Sequence, residues 1–320
     1  MSRTAAIAAL VALALAIVAP TVLVAHQIHV LVSILLFGYL SYCWNILGGF
    51  AGQLSFGHAL FMAVGAYTST LLLLKLGVSP WLGMLAGGVL AAALGLFIGF
   101  LSFRYGIKGT YFSLVTLAFT EIARIVALNT EAIGGALGLY IPIKATDFFE
   151  LKFVDKAHYY YVLLGFMLLA IGITAWLERS PIGHRLVAIR ENEDAAQALG
   201  INLLGHKLFA TALSAFLTAL GGTLYAHYVT FIDPHLLNMN MSLEITIYAI
   251  VGGVGTLFGP LIGAVFLVPI SEAARAWLGQ SAAGVHLVAY GVVLMGVILF
   301  APEGFVGLLR RWRAGQGAKP

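Results

Sequence analysis

Residues 81–103 read WLGMLAGGVLAAALGLFIGFLSF, a run with no charged side chain. It exceeds the roughly 20 residues a helix needs to cross a hydrocarbon core of about 30 Å. No water reaches that depth, so the backbone must bond within its own segment, and an apolar run of this length predicts a helix. Other predominantly apolar runs lie near 5–25, 30–47, 58–76, 111–129, 159–177, 207–229 and 284–301. Two shorter segments, near 241–258 and 261–278, are broken by glycine. Either both span, giving about ten helices, or they form a re-entrant pair that leaves about eight. The expected fold is an all-α integral membrane protein, one transmembrane domain over residues 1–320.

Composition points the same way. Hydrophobic residues make up 61% of the chain and charged residues 9%, whereas a soluble domain carries about 25% charged residues to cover its surface. The net charge of +4 comes from Lys and Arg gathered at segment ends, an orientation signal rather than a nucleic-acid footprint. The single cysteine, Cys43, lies inside an apolar run and builds neither a disulfide framework nor a metal site. Met1-Ser2-Arg3 opens an apolar stretch to Ala25. That exceeds the roughly 7–15 residues of a signal-peptide core, so it reads as a first spanning helix.

Basic residues beside the helix ends place both termini in the cytoplasm. Arg104 and Lys108 then fall in a cytoplasmic turn. Arg179, Arg185, Arg190 and Lys207 fall in a cytoplasmic loop over 178–207, and Arg310, Arg311, Arg313 and Lys319 in a cytoplasmic tail over 302–320. The outer side receives Lys75, Arg275 and a loop over 130–158, where Lys144, Lys152 and Lys156 face Glu131, Asp147, Glu150 and Asp155.

Irregular backbone at membrane depth survives only against protein or a water-filled path, so glycine-broken stretches carry information. One runs from Gly48-Gly49 through Gly52 to Phe56-Gly57, the other from Gly252-Gly253 through Gly255 to Phe258-Gly259-Pro260. Broken segments in corresponding positions of two halves point to a transport path at a repeat interface. Glycines that let helices pack closely are the alternative.

Within the 178–207 loop, Pro181 marks a break after the preceding helix. Arg190 to Gly200 reads as a short helix with Asn192 as N-cap, acids in the first turn and Gly200 closing it. Ala195, Ala198 and Leu199 share a face at helical spacing. Such a face is too short and alanine-rich for a core, and suits docking into a groove of another protein.

Glu193-Asp194-Ala195-Ala196-Gln197-Ala198-Leu199-Gly200-Ile201 resembles the Glu-Ala-Ala…Gly loop of ABC-importer permeases, in the form found in branched-chain amino-acid permeases of the LivM type. Four further stretches resemble that family, in its order and over nearly the whole chain. They are Gly52 to Phe61 with Gly65-Ala66-Tyr67, Thr110 to Ile122, Ile250 to Pro260, and Ala301-Pro302-Glu303-Gly304-Phe305. Ala136-Leu137-Gly138-Leu139 departs from the family, which usually has a small polar residue before Gly-Leu, and Asp194 stands where Glu is common. The resemblance implies a coupling helix that fits a cleft in a cytoplasmic ATPase, carried by Glu193, Asp194, Ala195, Ala196 and Gly200. It also implies two ATPase subunits, a second, similar permease subunit, a periplasmic substrate-binding protein and a place in the bacterial inner membrane. The ligands it implies are leucine, isoleucine and valine, or urea and short amides in related permeases.

No Gly-x-x-x-x-Gly-Lys-Ser/Thr loop occurs in the chain. No cofactor is therefore expected on this chain, which is not expected to be an enzyme, and ATP and Mg would bind partner ATPases. An unpaired charge at mid-bilayer costs at least about 2.5 kcal/mol, so ionisable residues in spans are functional suspects. Candidates for the substrate path are Gln53, Ser55 and His58 at the first break, Thr116, Thr120 and Glu121 on one helix, and Glu244 at the start of the second broken segment. Glu121 and Arg124 lie three apart and can instead pair structurally. Thr116 and Thr120 can instead bond back to their helix, and Asn45 reads as helix–helix glue. His26 and His29 have no third ligand nearby in sequence, and no metal site is expected. An ion-coupled secondary transporter would account for the broken helices and Glu121, but leaves the docking loop unexplained.

Overall fold

The apolar runs fold into helices arranged around one buried pillar. The computed structural model describes residues 14–142, 146–278, 291, 295 and 304–307. A short helix α1 (residues 14–22) precedes α2 (Ala25–Asn45), α3 (His58–Leu76), α4 (Pro80–Arg104), α5 (Thr110–Asn129) and α6 (Lys156–Arg179). Then come α7 (Pro181–Glu191), α8 (Glu193–Ala198), α9 (Leu203–Val229), α10 (Met239–Gly252) and α11 (Gly259–Leu278). Among the described residues, six helices are long and apolar enough to cross a membrane, and the chain is a multi-pass membrane protein. Most of the candidate span at 284–301, the start of that at 5–25, Lys144 and the tail arginines lie outside the described residues.

The pillar is α2, with 89% of its apolar window buried. It is apolar all round, as a helix enclosed by other helices must be. Val32, Tyr39, Leu40 and Tyr42 are fully enclosed. α6, α9, α10 and α11 pack around it, and α1 is fixed to α6 where Tyr160 Oη donates to Ala16 O at 2.8 Å.

A second layer forms where α3, α4 and α9 meet through small residues. Gly65 lies on the Ala219 backbone, Gly222 on the Met62 backbone, and Gly87 on Gly65. Apolar contact gains nothing over lipid, so such close backbone approach is what holds membrane helices together. Thr223 Oγ1 adds a hydrogen bond to Gly65 O at 3.1 Å.

α10 and α11 form a tight antiparallel hairpin. Gly252 abuts the Gly259 carbonyl, and Gly263 the Tyr248 carbonyl. A Cβ on Gly38 of α2 would lie 3.3 Å from Ala264 Cβ, whereas Tyr42, further along α2, donates to Leu257 O at 2.7 Å. The hairpin therefore turns level with the end of α2 rather than at mid-depth. α10, with 14 residues, covers only about 21 Å.

The loop over 130–158 folds onto the opposite end. Leu139 and Tyr140 pair antiparallel with Ile232 and Phe231, and Trp81 Nε1 donates to Phe148 O at 2.9 Å. One element differs from the sequence reading. Pro181 does end α6, but it also starts α7, with Ser180 Oγ accepting from Gly183 N at 3.0 Å. Proline at the first helical position loses no bond and is pre-set in φ, so the same residue both breaks and begins a helix.

Substituting Gly222→Leu should force α3 from α9 and cost about 3 kcal/mol or more, read as a lowered midpoint of thermal unfolding in detergent. Gly165→Leu on α6, where an added Cβ meets nothing within 4 Å, should unfold like the native chain.

Candidate functional site

The sequence Ile46-Leu47-Gly48-Gly49-Phe50 ends α2 in a five-residue π-turn, a widened turn that recurs at functional sites. Gly49 leaves room for the Asn45 side chain against it. Asn45 Oδ1 accepts from Gly255 N at 2.8 Å, and its Nδ2 donates to Thr256 O at 3.3 Å. The two glycine breaks, which are far apart in sequence, therefore meet through one carboxamide. Trp44 Nε1 folds the first break back on α2 by donating to Ser55 O at 2.9 Å. Described residues from the terminal motif close the second break, with Gly304 against Gly253 and Phe305 stacked on Phe266.

Gln53, Ser55 and His58 are buried at this junction. His58 Nε2 lies 2.8 Å from Ser214 Oγ, which donates to Cys43 O at 2.7 Å. Ser55 Oγ accepts from Gly57 N at 3.2 Å. Thr116 and Thr120 are buried too, each hydroxyl donating to its own helix, and Thr116 Oγ1 also accepts from Phe56 N at 3.0 Å. Of these five residues, Thr116 joins the first break to α5 and His58 joins its end to α9.

Glu121 lies elsewhere. It sits on the open face of α5, paired with Arg124 at 2.6 Å, their side chains 50% and 29% exposed. Only 28% of the apolar window of α5 is buried. An ion pair on the open face of an apolar helix suits protein or water, not lipid. Glu244 is half-buried on α10 and accepts from Tyr248 Oη at 2.7 Å.

α8 stands directly on this junction. Asn192 Oδ1 accepts from Ala195 N at 3.0 Å, and Gly200, at φ +81°, closes the far end. Ala196 turns inward, while Asp194, Ala195, Ala198 and Leu199 are open, Leu199 to 81%. Glu193 turns inward as well. Its Oε1 accepts from Lys207 Nζ at 2.6 Å, with side chains 20% and 5% exposed, and Gln53 Nε2 approaches the same oxygen at 3.5 Å. Lys207 Nζ also lies 5.2 Å from the centre of the Phe103 ring, a cation–π contact. A cavity of about 300 Å³ opens between Gln53, Lys108, Arg190 and Glu193. Among the described residues, no three His, Cys, Asp or Glu side chains gather as metal ligands.

Asn45, read as helix–helix glue, does bond α2 to the α10–α11 turn. Two bridging side chains, Arg190 and Lys207, escape the sequence reading, where they read as orientation charges. Each acts on a partner distant in sequence, so local pattern carries no signal for the contact. Lys207→Met should leave the Glu193 carboxylate without its counter-charge and cost about 3 kcal/mol. Lys207→Met with Glu193→Gln should recover most of that, measured as thermal unfolding of the four variants of a double-mutant cycle.

A family described as branched-chain amino acid transport system, permease component, matches residues 25–302. The chain is 30% identical over 289 residues to the high-affinity branched-chain amino acid transport system permease protein LivM of Escherichia coli K12. That match covers 83% of this chain and 66% of the relative. The LivM protein of Salmonella typhimurium matches at the same identity and coverage. Just under two thirds of the length of these two relatives is thus spanned. A probable branched-chain amino acid transport permease protein LivH of Methanocaldococcus jannaschii is 29% identical over 275 residues, 79% of this chain and 83% of that one. No solved structure matches.

Proposed function

Since this chain belongs to the branched-chain amino-acid permease family, we propose that it is the membrane-spanning subunit of an ATP-driven importer. Leucine, isoleucine and valine are its substrates, the class named for the LivM and LivH relatives. The observation that carries the reading is α8. Its outer face offers Asp194, Ala195, Ala198, Leu199 and Gly200, while its inner face is anchored by Ala196 and the Glu193–Lys207 pair. A stub open on one side and anchored on the other is shaped to receive force from a docked partner. Two cytoplasmic ATPases, holding ATP and Mg, would bind beneath it. A periplasmic binding protein would deliver ligand at the end closed by the 130–158 loop. The chain lies in a bacterial inner membrane with both termini in the cytoplasm, as its inward excess of Lys and Arg favours.

A second, similar permease subunit completes the path. The open face of α5, with Glu121 and Arg124 among Leu114, Ile122 and Ile125, is the surface on which the two subunits meet water and solute. Of the candidate path residues, Glu121 and Arg124 stand on that face. Gln53, Ser55, His58, Thr116 and Thr120 support the helices behind it, and Glu244 buttresses α10. Alternating access then needs no covalent step from this chain.

Uptake of labelled leucine into proteoliposomes carrying the assembled subunits decides the reading. Uptake should require ATP and Mg on the side of α8 and persist when ion gradients are collapsed. Glu121→Gln should change its rate without removing that ATP requirement. Uptake that follows an ion gradient, needs no ATP and is lost in Glu121→Gln would make the protein an ion-coupled carrier. Uptake of urea in place of leucine would change the ligand and leave the mechanism standing.

A further inference from the structure

Arg190, in the last turn of α7, lies across both glycine breaks at once. Its Nη1 donates to Gly49 O in the first break at 2.8 Å. A Cβ on Gly255, in the second break, would stand 2.5 Å from that same nitrogen, and one on Gly52 would stand 2.6 Å from Arg190 Cγ. Both glycines hold left-handed backbone, at φ +66° and +70°, which residues with a side chain rarely adopt. The aliphatic stem therefore rests on the first break, and the guanidinium is wedged where the two breaks touch. Its other donors, Nε and Nη2, are held by Glu191 Oε1 at 3.1 and 2.7 Å.

Each break is also held by contacts that do not involve this side chain. Asn45 holds the second to the first, and Trp44 and Thr116 hold the first to α2 and α5. What Arg190 adds is a rigid connection from α7 to both, and α7 is joined to α8 through the single residue Asn192. Cavities of about 360 and 300 Å³ flank it, one lined by Glu178, His184 and Thr256, the other by Gln53 and Lys108. A guanidinium supplies several donors in one rigid plane, which a lysine ammonium does not.

We propose that Arg190 is a positioning residue: the strut through which movement of the α7–α8 segment reaches both glycine breaks together. This rests on the reading that α8 docks an ATPase. Alone, the Gln53–Glu193 contact at 3.5 Å links α8 to the first break only.

The test measures ATP hydrolysis and leucine uptake on the same proteoliposomes holding the assembled complex. Arg190→Ala should raise the ATP hydrolysed per leucine moved by about tenfold, within the usual range of a coupling between sites. Arg190→Lys, which keeps the stem and one donor, should restore part of the native ratio. Glu191→Gln alters a carboxylate 68% exposed and should raise the ratio less. If Arg190→Ala fails to assemble, Arg190→Lys and Glu191→Gln decide. A native ratio in every variant that assembles overturns the strut. Native complex that shows no ATP-dependent uptake sinks the ATPase reading instead, so the two failures are distinct.

Discussion

The carboxamide of Asn45 makes two hydrogen bonds to a segment some 210 residues away, accepting from Gly255 N and donating to Thr256 O. The groups it meets are backbone, left without helical partners by the turn between α10 and α11, and Asn45 itself stands where α2 passes into the π-turn. Inside a membrane protein such groups need a partner or water. One amide side chain supplies it for the second break while fixing the first beside it. The pillar α2, the hairpin α10–α11 and the short helices α7 and α8 are all referred to this point.

Around it the helices are held in two ways. α3, α4 and α9 meet by close backbone approach at Gly65, Gly87 and Gly222, a packing that resists sliding. The α7–α8 segment adds polar contacts, Arg190 to Gly49 and Glu193 to Lys207, to the buried side chains of Leu186, Ile189 and Ala196. It is this segment that presents an open surface, at Asp194, Ala195, Ala198 and Leu199.

Much of this was legible in the sequence for physical reasons. Apolar runs such as 81–103 state their own length requirement. Asn192 and Gly200 bracket α8 because a side-chain cap and a left-handed residue are local devices. The glycine pairs at 48–49 and 252–253 mark irregular backbone correctly, because only packed or solvated positions tolerate it. Depth and facing were not legible. Gln53, Ser55 and His58 look alike as path or as packing until it is known that α9 brings Ser214 to His58. Arg190 and Lys207 count equally as orientation charges in any loop, and their contacts with Gly49 and Glu193 exist only in three dimensions. α7 stays hidden in the sequence because a proline signals the end of one helix and the start of the next equally well.

The central claim is that α8 is the surface on which an ATPase acts. It is tested most directly by placing a photo-crosslinking amino acid at Leu199, which is 81% exposed, in cells, and identifying what is captured in native membranes. A subunit carrying a Gly-x-x-x-x-Gly-Lys-Ser/Thr loop should be captured from Leu199 but not from Tyr140 at the opposite end of the bundle. Capture of that subunit from both positions, or of none from Leu199 in cells that take up the solute, would contradict it.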